Sequence, residues 1–308
     1  MKKIAIIGAG RVGESAAHNL AKAELCRELV LIDIKEGVPQ GTALDIQESA
    51  PIFDFDTKLS GSNDLQAMAG ADMVVITAGI PRKPGMSRSD VLETNLAVVH
   101  GIVDEVLKFA PKTMLLIVSN PVDVLTYAAW KRSGFPRARV FGMAGVLDSA
   151  RMASFVAMET GFSVKDITAM VLGGHGDTMV PMTRFTCING IPIEHFLSKE
   201  QIQKIVERTR GGGAEILSLR KTASAYDAPA AAIASMVDAI SHNRRHILPA
   251  VALLNGEYGL NDIGMGVPVV FGEHGVEKVI ELPLTPDEAA EFKRSAAMVQ
   301  ADLARLKK

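Results

Sequence analysis

The sequence predicts an α/β chain: a doubly wound parallel sheet in the first half, followed by a mixed α+β domain. Three observations predict it. A short apolar run at residues 3–7 leads straight into a glycine-rich turn, GAGRVG at 8–13, and then into an amphipathic stretch. Through the first half, continuous apolar runs alternate with longer amphipathic ones, the pattern of strands covered by helices on both faces. Beyond about residue 145 the rhythm changes to short strands, a hairpin signal and long helices. A chain of 308 residues suits two domains, which we place at 1–144 and 145–308.

The elements follow in order. Residues 3–7 read as a strand, 12–23 as a helix, 29–34 as a strand and 41–48 as a helix. Strands are expected at 73–78 and 114–119, with a long helix over 91–109 between them. Another helix begins after Pro121, since proline suits a first turn. In the second half, 147–160 reads as a helix and 166–172 as a strand. Asn189-Gly190 turns a hairpin between 185–188 and 191–193. A helix over 199–221 carries Gly211-Gly212-Gly213, expected as a bend. Short strands at 247–254, 267–271 and 276–282 precede a last helix, which Thr285 caps with Pro286 in its first turn.

Composition narrows the class. Apolar residues make up 48% and charged residues 22%, as in a soluble globular protein with a sizeable core. A net charge of −2 leaves no electrostatic footprint for nucleic acid. Met1-Lys2-Lys3 before an apolar run resembles a targeting segment, but Arg11 and Glu14 interrupt that run too early. No uncharged apolar run is long enough to span a bilayer. Cys26 and Cys187 stand far apart, outside any ligand cluster. They indicate no disulfide framework, no metal site and a cytoplasmic setting.

The glycine turn has a mechanism. Directly after a strand and opening a helix, Gly8, Ala9, Gly10, Arg11, Val12 and Gly13 form the GxGxxG fingerprint of a Rossmann dinucleotide site. The glycines permit the tight turn, the approach of backbone N–H groups to a pyrophosphate and close helix–strand packing. The helix N-terminus adds unpaired donors and partial positive charge. Asp33, at the end of the second strand, can accept hydrogen bonds from ribose hydroxyls and would repel a 2′-phosphate. NAD is therefore expected rather than NADP. FAD shares the fingerprint, but nothing later in the chain looks like an FAD protein. Thr77, Ala78 and Gly79 leave the third strand at the crevice edge, where small residues let backbone approach the cofactor.

Four segments carry charged or polar groups where hydride-transfer chemistry would need them. Arg82, Lys83 and Arg88 lie in a Pro- and Gly-flanked stretch that can hang over the crevice as a lid. Asn120 follows another strand end, with an amide that both donates and accepts. Asp148 and Arg151 are three residues apart, on one face of a helix. His175 sits among Gly173, Gly174 and Gly176, where it has no packing reason to be. Each also has a plainer reading: a solvated basic loop, a helix cap, a surface ion pair, a structural histidine. Together they describe reduction of a 2-oxo acid. An imidazole supplies the proton, a carboxylate orients it, and guanidinium groups bind carboxylate and polarise the carbonyl.

GAGRVG, TAGIPRKPGMSR, VSNPVD, VLDSAR and GGHGDTMVP occur in that order across the chain. In these motifs the sequence resembles the malate/lactate dehydrogenase family over essentially its full length, and within it the lactate dehydrogenase-like class of malate dehydrogenases. The resemblance implies NAD-dependent, reversible hydride transfer between (S)-malate and oxaloacetate, with L-lactate dehydrogenase as the alternative activity. It makes His175 the proton donor and acceptor, Asp148 its partner and Arg151 the holder of the C1 carboxylate. Arg88 would polarise the carbonyl, Asn120 hydrogen-bond the reacting oxygen beside the nicotinamide, and Arg82 bind the second carboxylate. Lactate-specific members carry Gln at the place of Arg82 and tend to an acidic residue where Gly174 stands, so both positions point to the dicarboxylate. Asn95, Val118 and Asn120 complete the implied cofactor-binding set, and Ser224 is expected to line the substrate pocket. The resemblance further implies a homo-oligomer, a tetramer or a dimer, with a role in the tricarboxylic acid cycle. Other classes fit less well. NAD- and metal-dependent glycosidases need ligands that do not appear in the sequence. A catalytically silent relative would be expected to have lost His175, Asp148 or an arginine.

Overall fold

A computed structural model describes residues 1–80 and 88–306, with no side-chain description for 88–90. The first half forms β1 (Lys3–Ile7), α1 (Arg11–Lys22), β2 (Glu28–Ile32), α2 (Val38–Glu48), α3 (Ala50–Phe53) and β3 (Lys58–Ser62). It continues through β4 (Met73–Ile76), α4 (Arg88–Phe109), β5 (Met114–Ile117), α5 (Val122–Ser133) and β6 (Val140–Gly142). These strands are parallel in the order β6-β5-β4-β1-β2-β3. In the central strand β1, Ile4 pairs with Leu29 of β2 on one side and Met73 of β4 on the other. Ile4, Ala5, Ile6, Val74, Val75 and Leu115 are fully buried, which is why these strands read as unbroken apolar runs. The order reverses between β1 and β4, and the crevice for a ligand opens beyond the carboxyl ends of such strands.

Two strands of this sheet were not expected from the sequence. β3, KLSGS, is a half-exposed edge strand without an apolar run. β6 is only three residues long. Both are specified by their neighbours more than by their own composition.

The second half contains α6 (Gly145–Thr160), β7 (Ile167–Thr168), β8 (Val171–Leu172), β9 (Val180–Pro181), β10 (Cys187–Ile188) and β11 (Ile191–Pro192). It ends with α7 (Lys199–Arg220), α8 (Asp227–Ser241), β12 (His246–Asn255), β13 (Asn261–Gly272), β14 (Gly275–Val279) and α9 (Pro286–Arg305). The single strand expected at 166–172 is two short ones with different partners. β7 pairs with β10, and β8 with β9. The Asn189-Gly190 hairpin forms, with φ of 50° and 80° at its two turn residues, as a primed turn requires. Its first strand starts at Cys187 because Thr183–Phe185 is a 3₁₀ turn. β14 stops at Val279, short of the expected 282; beyond it, the hydroxyl of Tyr258 accepts from the Leu282 N–H.

β12, β13 and β14 join the sheet of the first half. β12 runs antiparallel against β6, pairing Val251 with Gly142, so one nine-stranded sheet crosses residue 144. Phe141 of β6 and Phe271 of β13, both fully buried, meet edge to face at 5.0 Å between centroids. The helix α7 also differs from expectation. It runs unbroken through Gly211, Gly212 and Gly213, although each glycine in a helix interior costs about 1 kcal/mol relative to alanine. α9 starts as expected, with a complete capping box between Thr285 and Glu288. Among the described residues no helix is long and apolar enough to cross a membrane.

Candidate active site

The site is assembled at the crevice edge of the sheet. After β1 the chain turns at Gly8, whose φ is 109°. A Cβ there would lie 2.6 Å from the Thr77 hydroxyl oxygen, and a Cβ at Gly13 would overlap the Gly8 carbonyl oxygen. These two glycines let α1 and the end of β4 close on the turn. Gly10 caps α1 with no side chain to cover the first-turn N–H groups, and the space around its Cβ position is open. A pyrophosphate fits such a cradle. The Thr77 hydroxyl donates to the Gly8 carbonyl at 2.9 Å, and the Ala78 N–H to the Ile7 carbonyl at 2.8 Å. Thr77 and Ala78, expected at the crevice edge, thus also brace the glycine turn. Arg11 is exposed, with its guanidinium 5.5 Å from the centroid of the Tyr226 ring, and Val12 is half-buried.

Asp33 stands half-buried just past β2. One carboxylate oxygen accepts the Ala9 N–H at 2.8 Å and the other the Lys35 N–H at 3.0 Å. The carboxylate is thereby fixed beside the glycine turn with acceptor capacity to spare for ribose hydroxyls. The donors and acceptors present fit NAD. Val118, just past β5, is 8% exposed and packs in the main hydrophobic core. Asn95 is buried on α4, and its amide engages backbone at both ends. It accepts from Ile80 N–H at 2.8 Å and donates to the carbonyls of Ile80 and Asn120 at 3.2 and 2.7 Å. It ties the exit of β4 to the exit of β5, and Gly79 leaves it room. Asn120 itself is exposed.

The charged centre comes from α6 and the loop after β8. Asp148, 2% exposed, lies in the first turn of α6. One of its oxygens is 2.8 Å from His175 Nδ1, and the other accepts from an Arg151 terminal nitrogen at 3.2 Å. A single carboxylate therefore joins the imidazole and the guanidinium. With Nδ1–H donated to Asp148, Nε2 is the nitrogen left for proton exchange. Burial disfavours the imidazolium, but the charge and hydrogen bond of Asp148, with the charge of Asp123, outweigh it. The His175 pKa is raised above its ordinary value.

Sequence reasoning missed what holds the His175 loop. The Asp123 carboxylate on α5 accepts the His175 backbone N–H at 2.8 Å, and burial pushes its pKa up to about 6. The Ser295 hydroxyl on α9 accepts the Gly174 N–H at 2.8 Å, and the Gly266 carbonyl on β13 accepts the Gly173 N–H at 2.9 Å. Asp123 did leave a signal, as an acid inside the otherwise apolar start of a helix. Ser295 left none. Ser224 is exposed on the segment between α7 and α8. Arg82 and the side chain of Arg88 lie outside the described residues; the backbone of Arg88 opens α4. Among the described residues no cluster of His, Cys, Asp and Glu could hold a metal ion.

Residues 2–142 match the lactate/malate dehydrogenase, NAD binding domain family, and residues 145–308 match the lactate/malate dehydrogenase, alpha/beta C-terminal domain family. The chain is 67% identical to a malate dehydrogenase of Thioalkalivibrio sulfidiphilus over 307 residues, covering 100% of each chain. A solved malate dehydrogenase from Salinibacter ruber superposes with a TM-score of 0.95 at 46% identity, over 99% of this chain and 97% of that one. A lactate dehydrogenase from Cryptosporidium parvum, complexed with lactic acid and nicotinamide adenine dinucleotide, gives 0.95 at 39% identity, over 100% and 98% of the two chains. With both family models matched across nearly the whole chain and a full-length relative at 67% identity, the chain belongs to the lactate/malate dehydrogenase family.

Proposed function

We propose that this chain is an NAD-dependent malate dehydrogenase that interconverts (S)-malate and oxaloacetate. The observation that carries the reading is the Asp148 carboxylate held between His175 and Arg151. That carboxylate, in the first turn of α6, links the proposed proton donor on the loop after β8 to the proposed carboxylate clamp further along α6.

The glycine turn at 8–13 and Asp33 would hold NAD, which supplies or accepts the hydride at C2. The residues do the rest. Arg151 binds the C1 carboxylate with its planar fork. His175 gives its Nε2 proton to the C2 oxygen during reduction and takes it back during oxidation. Asp148 keeps the imidazole oriented and stabilises its charged form. Asn120 donates a hydrogen bond at the reacting oxygen, and Arg88 polarises the carbonyl. Arg82 pairs with the distal carboxylate, the feature that distinguishes oxaloacetate from pyruvate. Asn95, Thr77, Ala78, Gly79 and Val118 shape the cofactor side. We further propose 1–144 as the NAD-binding domain, which also lends Arg82, Arg88 and Asn120 to the substrate, and 145–308 as the substrate and catalytic domain. We also propose a cytoplasmic homotetramer acting in the tricarboxylic acid cycle.

Absorbance of NADH at 340 nm with oxaloacetate, pyruvate or neither tests the reading. Oxaloacetate is expected to give by far the larger kcat/KM. Arg82→Gln is expected to shift the ratio towards pyruvate by about 10² or more, since a site built for a charged partner rejects analogues that lack it. An unchanged ratio rejects the role of Arg82, and a wild-type preference for pyruvate makes the chain an L-lactate dehydrogenase.

A further inference from the structure

The glycine triplet of α7 has no role in the reaction as described, and it does not bend the helix. Its three members differ in their surroundings. A Cβ at Gly211 would meet nothing within 4 Å. A Cβ at Gly213 would make ordinary contact with a terminal nitrogen of Arg151, at 3.9 Å. Gly212 is buried, and a Cβ there would press on the Arg151 stem, 3.2 Å from Cδ and 3.6 Å from Nε, with Phe155 behind it at 3.9 Å. The Arg151 side chain is 12% exposed, and its enclosed Nε has no hydrogen-bond partner among the described residues. The stem is thus closed in by α7 and Phe155, while Asp148 holds one terminal nitrogen.

We propose that Gly212 is a positioning residue for Arg151: the missing side chain lets α7 lie against the arginine stem and fixes where the guanidinium meets the substrate carboxylate. This rests on the reading of Arg151 as the carboxylate clamp. Nothing at position 212 touches the reacting atoms. Its effect is on where a bidentate group sits, and small displacements of such a group are costly. The arginine stem must yield by a few tenths of an ångström to admit a methyl group.

The test is steady-state kinetics of oxaloacetate reduction by the full chain, with the dissociation constant of NADH measured separately by fluorescence. Gly212→Ala is expected to raise the KM for oxaloacetate about tenfold while the NADH constant stays put. Gly211→Ala, in open space on the same helix, is expected to leave both unchanged. An unchanged KM in Gly212→Ala overturns the proposal. So does a parallel loss of NADH affinity, which would mark general loosening. Arg151→Lys separates the two readings. If it leaves the KM unchanged, the clamp falls and the inference with it. If it raises the KM while Gly212→Ala does not, only the inference falls. Should Gly212→Ala fail to fold, the wild-type Arg151 Nε–H carries the test by NMR. Exchange with solvent at least about tenfold slower than in exposed arginines supports the seat, and exchange at their rate overturns it.

Discussion

At the scale of single residues, the site depends on one carboxylate. Asp148→Asn keeps the shape but removes the charge that outweighs the burial of His175. The sign follows from the raised pKa. Reduction of oxaloacetate needs the imidazolium, so its rate holds above the ordinary histidine range and falls as pH climbs through the raised value. Oxidation of malate needs neutral His175 and rises over the same range. Asp148→Asn is expected to move both midpoints to lower pH and to cut kcat/KM for reduction at neutral pH by about 10² or more, measured as pH–rate profiles. His175, Asp148 and Arg151 were legible because each stands out against its own setting. An imidazole lay among glycines, and an acid and a base stood three apart on a helix. Asp123 and Ser295 were not legible as parts of the site. Their work is to hold backbone N–H groups of residues far away in sequence.

Among the elements, those with strong local signals formed where the sequence placed them. The Asn189-Gly190 turn and the Thr285 cap needed no tertiary help to be read. Thr285→Ala removes the capping side chain of α9 and is expected to cost about 1 kcal/mol, seen as a lower Tm with unchanged KM values. The elements read poorly are those whose identity is decided by a partner. β6 has three residues and is a strand because β5 and β12 flank it. The split of 166–172 into β7 and β8 follows from two separate pairings, which periodicity cannot reveal. The triplet in α7 was misread as a bend because a glycine's local cost is visible in sequence and its packing benefit is not.

For the molecule as a whole, the sheet does not respect the division between cofactor and substrate halves. Val140 and Phe141 of β6 are fully buried between strands of both halves. Residues 1–144 alone would expose that edge and the Phe141 ring. The full chain is expected to melt in one calorimetric transition, whereas the fragment 1–144 is expected to self-associate, measured by light scattering. Two well-separated transitions in the full chain would contradict this coupling.

The shared Asp148 carboxylate has one more consequence, in the heat of ligand binding. Arg151 lies close enough to lower the proton affinity of His175. A substrate anion that neutralises the guanidinium removes that opposition, so the imidazole gains affinity for a proton as the ligand arrives. Binding of the oxo acid should therefore draw a proton from the buffer, weaken as the medium becomes more alkaline, and release an enthalpy that changes with the ionisation heat of the buffer used.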